Sequence, residues 1–127
     1  MNLLLDTHVF LWWDSQDKSL NADTRALIAD PANQIFVSAA SIWEIAIKRR
    51  LKKLDFRGSA VGAIGANGFH ELPILPIDAE NAGALGWQHN DPFDRMLVAQ
   101  ARRLTFTLAT ADPAIRAYTN IAQMWAG

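Results

Sequence analysis

The chain has 127 residues, half of them hydrophobic and one fifth charged, with a formal net charge of −1 and no cysteine. That length suits one domain spanning residues 1–127, and the hydrophobic share excludes a disordered segment. The lack of cysteine excludes a disulfide scaffold and a thiolate metal site, and it agrees with a reducing, cytoplasmic setting. Leu3-Leu4-Leu5 stops at Asp6 with no basic stretch before it. Neither a secretory signal nor a membrane span of ~20 apolar residues is therefore expected. Binders of polyanions are usually strongly basic, so the charge balance at first argues against one.

Asn2 to Leu5 is apolar without alternation and reads as a strand buried on both faces. Asp6-Thr7-His8 can cap a helix through Val9 to Trp13. Asn21 caps a second helix, Ala22 to Ala29, stopped by Asp30-Pro31. Ile35-Phe36-Val37 is a second strand, and Ser38 opens the longest helical pattern, to about Leu54. Arg57 to Gly68 is rich in Gly and Ala and is weakly helical. Leu72 to Ile77 carries two prolines and reads as an edge strand, after which Asp78 caps a helix to about Trp87. Asp91-Pro92 has the N-cap and first-turn residues of another helix, running to about Leu104. Thr105 to Ala109 is a fourth strand, Asp112-Pro113 starts a short helix, and Asn120 to Trp125 is a fifth strand. Strands alternating with helices predict an α/β sandwich with a central parallel sheet covered on both faces. Ligands of such sheets bind outside the carboxyl ends of the strands.

Four acidic residues fall near such ends. Asp6 closes the first strand, and Asp112 follows the fourth; taken singly, both are ordinary turn or cap residues. Glu44 lies at the edge of an apolar stripe formed by Trp43, Ile47, Leu51 and Leu54, one turn before Lys48. Alone it reads equally as half of a Glu–Lys helix pair. Asp94 is the most informative, because Leu97, Val98 and Ala101 stand three, four and seven residues after it. That spacing puts it on the apolar face of its helix, where an unpaired carboxylate is costly. A capping box with Asp91 explains its position in the first turn but not its facing the core. Converging carboxylates repel unless a cation sits among them, and oxygen ligands point to Mg²⁺ or Mn²⁺. The chemistry that follows is phosphodiester hydrolysis by a metal-activated water. Asp6 and Asp94 are the expected primary ligands, completed by Glu44 and Asp112.

Leu3-Leu4-Leu5-Asp6-Thr7-His8, Ser41-Ile42-Trp43-Glu44-Ile45, Asp91-Pro92-Phe93-Asp94-Arg95 and Leu108-Ala109-Thr110-Ala111-Asp112 come in an order and spacing that resemble the PIN-domain nucleases. Among these, the VapC-type toxins of toxin–antitoxin modules are the most similar, and the likeness covers essentially the whole chain. The resemblance implies a five-stranded parallel sheet in a three-layer sandwich and a Mg²⁺- or Mn²⁺-dependent endoribonuclease. It also implies a homodimer held inactive by a small antitoxin. It carries the acidic quartet onto Asp6, Glu44, Asp94 and Asp112. Thr7 and Thr110 match polar positions flanking the site, and Asp91 is a cap first and a water-mediated ligand second.

Six of the twelve basic residues, Lys48, Arg49, Arg50, Lys52, Lys53 and Arg57, lie within ten positions of one another, starting one turn after Glu44. They are either a solvated helix end or a phosphate-contacting ridge. Lys48, Arg49, Lys52 and Arg95 are the candidate RNA contacts. His8 is read as structural rather than as a general base, and His70 and His89 carry no signal of their own. The five tryptophans are expected mostly in the core, but Phe10, Trp12 and Trp13 cannot all face inward from one short helix. An aromatic patch there predicts an interface with an antitoxin or a second protomer. Two other classes compete. A phosphoryl-transfer domain wants Asp-x-Asp after the first strand, or a lysine after the last; the chain has Asp6-Thr7-His8 and no lysine beyond Lys53. A non-catalytic RNA- or protein-binding module predicts no divalent-metal binding. The −1 charge is an average over an acidic quartet and a basic cluster, so it excludes only a binder that relies on bulk charge.

Overall fold

A computed structural model describes residues 1–127. Its elements are β1 (Asn2–Leu5), α1 (Thr7–Asp14), α2 (Ala22–Ala29), β2 (Gln34–Ser38), α3 (Ala39–Arg50), α4 (Ala60–Ala66), β3 (His70–Leu72), α5 (Pro76–Ala84), α6 (Pro92–Leu104), β4 (Thr107–Thr110), α7 (Pro113–Arg116) and β5 (Gln123–Trp125). The five strands form one parallel sheet in the order β3-β2-β1-β4-β5. Leu3, Leu4 and Leu5 of central β1 are fully buried, as expected for a strand covered on both faces. Leu3 and Leu5 join one core with Val9, Phe10, Ile28, Ile45 and Ile64, while Leu4 joins a second with Leu97, Val98, Leu108 and Ile115. Two cores either side of a sheet make the predicted three-layer sandwich. No helix is long and apolar enough to cross a membrane.

Local chemistry explains the boundaries. Asp6, Asn21, Ser38, Ser59, Asp91 and Asp112 each accept a hydrogen bond from a first-turn N–H of the helix they precede. Helix α3 stops at Arg50, short of the expected Leu54. Lys52 takes a left-handed φ of 57°, with Lys53 N–H bonded to the Lys48 carbonyl and Lys52 N–H to that of Arg49. This pair of bonds is the Schellman termination, and Thr105 ends α6 the same way against Ala101 and Arg102. The third strand is His70–Leu72 rather than Leu72 to Ile77, because Pro73 has no N–H to continue the ladder and Pro76 starts α5. Its position at the sheet edge is as expected. Asp78 is not the N-cap of α5. It sits in the first turn and accepts the Leu75 N–H, and the helix ends at Ala84 rather than Trp87.

Chain order runs from β1 outward through β2 and β3, then returns to the other side of β1 for β4 and β5. The reversal makes β1/β4 the topological switch point, where parallel sheets open a crevice at their carboxyl edge.

Candidate metal centre

Asp6 and Asp112 flank that crevice. The Asp6 N–H donates to the Ala109 carbonyl, extending β1 against β4 by one bond past the strand end. Its carboxylate is buried and held by three donors: Val9 N–H to Oδ1 (2.8 Å), Thr110 Oγ1 to Oδ2 (2.6 Å) and Ala111 N–H to Oδ2 (3.0 Å). Burial raises the Asp6 pKa above the usual carboxylate range, and these hydrogen bonds oppose the rise without cancelling it. Thr110 also accepts the Asp112 N–H at 3.0 Å, and Asp112 in turn caps α7 through Ala114 N–H. One threonine thus ties two members of the quartet together.

Glu44 is buried, not at the edge of a stripe. The inward face of α3 is Ala40, Ser41, Glu44 and Ile45, whereas Trp43 is 60% exposed and Leu51 50% exposed. The expected stripe was ambiguous because Ile42, Trp43, Ile45, Ala46 and Ile47 place apolar groups all round the helix. Thr7 Oγ1 donates to Glu44 Oε1 at 2.6 Å and lies 2.9 Å from Ser41 Oγ, while Lys48 Nζ donates to Oε2 at 2.6 Å. The Glu–Lys helix pair therefore forms, but around a carboxylate that faces inward.

Asp94 stands in the first turn of α6, where Asp91 accepts the N–H groups of Phe93 and Asp94 as cap. Its Oδ2 lies 2.7 Å from His89 Nε2. Burial pushes the Asp94 pKa up to about 7. The charges of Asp91 and Asp112 push the same way, and the His89 hydrogen bond pulls against them. His89, Asp94 and Asp112 each present a ligand atom, all within 4.8 Å of one another. Asp6 and Glu44 do not belong to that set. The quartet is thus brought to one edge of the sheet but not to a single point. The imidazole was missed from sequence, since a histidine in a loop before a cap has no periodicity to mark it. A set of carboxylate oxygens and one imidazole, in a chain without thiols, fits a hard or borderline divalent cation of the Mg²⁺ and Mn²⁺ class.

Other expectations need correction. Arg95 was a candidate RNA contact, but its five N–H groups go to the carbonyls of Ala82, Gly83, Leu85, Trp87 and His89. A guanidinium has five donors, so none is left for a phosphate. Of the other basic candidates, Lys48 is paired with Glu44, Arg49 donates to the Gly58 carbonyl, and Lys52 is exposed. No tryptophan is fully buried: Trp12, Trp13 and Trp87 are half-buried and pack against the two cores, and Trp125 is half-buried on β5. Phe10 is fully buried, so the aromatic patch on α1 reduces to Trp12 and Trp13, the latter donating to Asn67. The most exposed aromatic is Trp43, edge-on to Phe93 with centroids 5.3 Å apart.

A parallel α/β sandwich with carboxylates gathered at its switch point is the class of domain that the fold and the site define. The PIN domain model matches residues 3–120, and the chain belongs to that family. No curated protein sequence matches it. Among solved structures it is similar to VapBC2 from Rickettsia felis bound to a DNA fragment from their promoter, at 15% identity over 100% of both chains with a TM-score of 0.69. It also resembles FitAB bound to an IR36 DNA fragment, at 17% identity over 97% of this chain and 94% of that one, with a TM-score of 0.62. FitAcB from Neisseria gonorrhoeae gives 17% identity over 96% of each chain and a TM-score of 0.51. At these identities the likeness concerns the fold.

Proposed function

We propose that the chain is a Mg²⁺- or Mn²⁺-dependent endoribonuclease, the toxin of a cytoplasmic toxin–antitoxin pair. The observation that carries this reading is the set of buried or half-buried acids at the β1/β4 switch point, two of them with raised pKa and no Lys or Arg partner. A fold that keeps unpaired carboxylates in a crevice loses stability unless a cation compensates them. Membership of the PIN family and the paired complexes among its structural neighbours support the nuclease and the two-component setting.

Asp6, Asp94 and Asp112 would hold the cation, with Glu44 acting directly or through water. A bound divalent ion supplies positive charge for a scissile phosphate and lowers the pKa of water enough to attack it. The chain's own part is positioning. Three donors fix both Asp6 oxygens, and Thr7 with Lys48 fixes those of Glu44. Asp94, with a pKa of about 7, carries a proton part of the time at neutral pH and would have to give it up to hold a cation. Exposed Lys52, beyond the end of α3, and exposed Arg49, with only Nη1 engaged by the Gly58 carbonyl, are the remaining basic candidates for the RNA backbone. The functional unit is proposed to be a homodimer inhibited by a small antitoxin.

Incubation of the purified chain with total RNA, followed by mapping of new 5′ ends, tests this reading. Cleavage is expected with Mn²⁺ or Mg²⁺ and none with chelator. Cleavage that survives both Asp6→Asn and Asp94→Asn overturns the assignment. Light scattering tests the assembly, and a lone monomer at micromolar concentration contradicts the dimer.

A further inference from the structure

His89 lies in the loop between α5 and α6, outside the acidic quartet. Its place is fixed from two sides. Its carbonyl accepts Arg95 Nη1 at 3.1 Å, and its ring packs against Trp87 with centroids 4.8 Å apart. This holds Nε2 at 2.7 Å from Asp94 Oδ2, within the group it forms with Asp94 and Asp112. Around a six-coordinate ion with bonds of ~2.1 Å, neighbouring donors stand about 3.0 Å apart and opposite ones about 4.2 Å. The His89–Asp94 spacing is close to the first of these, and a span within 4.8 Å accommodates the second. Nε2 makes the ring's single hydrogen bond, to Asp94. A cation that takes the place of the proton shared by Nε2 and the Asp94 carboxylate would leave Nδ1 to carry the proton of a neutral imidazole.

We propose that His89 Nε2 is a ligand of the divalent cation beside Asp94 and Asp112, and that it biases the site toward Mn²⁺ over Mg²⁺. The inference rests on the reading of this crevice as a metal centre. Imidazole suits transition metals, whereas Mg²⁺ favours carboxylate and water oxygen, so one nitrogen donor separates two ions that an all-oxygen site treats more alike. Arg95 then has a positioning role. By gathering the carbonyls of residues 82–89 it sets the loop that carries the imidazole.

The test uses the full chain with Mn²⁺ or Mg²⁺ alone, read by calorimetry and by pulsed electron paramagnetic resonance of bound Mn²⁺. The wild type is expected to show ¹⁴N modulation from a coordinated imidazole. The signal should persist in His8→Ala and vanish in His89→Ala and His89→Asn. Mn²⁺ affinity should fall about 10–100-fold in the His89 variants, with Mg²⁺ affinity changing much less. Both variants keep the backbone carbonyl that Arg95 holds, and the wild-type spectrum needs no variant to fold. Mn²⁺ bound without ¹⁴N modulation, or modulation that survives His89→Ala, overturns the His89 assignment and leaves the metal centre standing. Failure of the wild type to bind either ion overturns both.

Discussion

Asp78 and Asp94 lie on adjacent, packed helices and meet opposite fates. Asp78 in α5 is fully buried, where burial alone would raise its pKa. The Arg103 guanidinium of α6 and the Leu75 N–H outweigh that effect and hold it below the ordinary carboxylate range. Asp94, nine residues before Arg103 on α6, is instead pushed up to about 7. Its neighbours are two more acids and an imidazole rather than a guanidinium. A buried acid is therefore not in itself a functional sign. The informative property is whether the fold supplies a cation for it: at Asp78 it does, and at the switch point the charge is left for something else to balance.

This contrast can be broken experimentally. The largest effect is expected at the sheet edge, where Asp6→Asn and Asp94→Asn should each lower RNA cleavage at least about 100-fold. That exceeds the typical cost of removing a group that merely orients a metal ligand, ~10–100-fold. Cleavage by gel assay, alongside circular dichroism to show retained fold, checks it. Next is Arg103→Met, which leaves Asp78 buried without its cation. A loss of about 3 kcal/mol in urea unfolding is expected, with cleavage per folded molecule unchanged. A loss under about 1 kcal/mol would show that Asp78 is no better compensated than Asp94.

The pH dependence gives a smaller, signed effect. Asp94 has a folded pKa of about 7 against 3.8 for the unfolded chain. Its contribution is fully present below the unfolded value and is lost as pH rises through about 7. Without metal, the wild type should therefore lose stability relative to Asp94→Asn by on the order of 2 kcal/mol between pH 4 and 8. Saturating Mn²⁺ should abolish the difference, because the ion binds the ionised carboxylate. Asp78 has the opposite sign, with stability lost as pH falls below its unfolded value. The smallest effect is expected for Lys52→Ala, which should shift stability by less than about 0.5 kcal/mol. It should lower the salt dependence of RNA binding by about one unit of slope, measured by fluorescence anisotropy.

Much of this molecule was legible residue by residue where the controlling interactions are short in range. Asn21, Ser38, Asp91 and Asp112 are N-caps where expected, since a cap bonds a backbone group two or three residues away. The apolar run Leu3–Leu5 reads directly as a strand between two layers. Asp94 could be placed inward because Leu97, Val98 and Ala101 define one clear face of α6. Helix α3 has apolar residues on every side, so periodicity does not single out its inward face of Ala40, Ser41, Glu44 and Ile45. Trp43 points out, while Glu44 and Ser41 point in toward Thr7. Two closely spaced prolines fit both an edge strand and a strand stop followed by a helix start, and here Pro73 ends β3 while Pro76 starts α5.

Sequence by itself determined the order of strands and helices, the caps that delimit them and the acids that follow β1 and β4. These depend on backbone conformation and on hydrogen bonds between near neighbours. Tertiary structure alone decided which acids receive a cation. Arg103 reaches Asp78 from 25 residues away, and Arg95 is drawn into five carbonyls of the α5–α6 connection. Thr110 joins Asp6 across 104 residues of chain, and loop closure carries His89 to Asp94. The partners of a buried charge are set by packing between elements, which no local pattern of residues specifies.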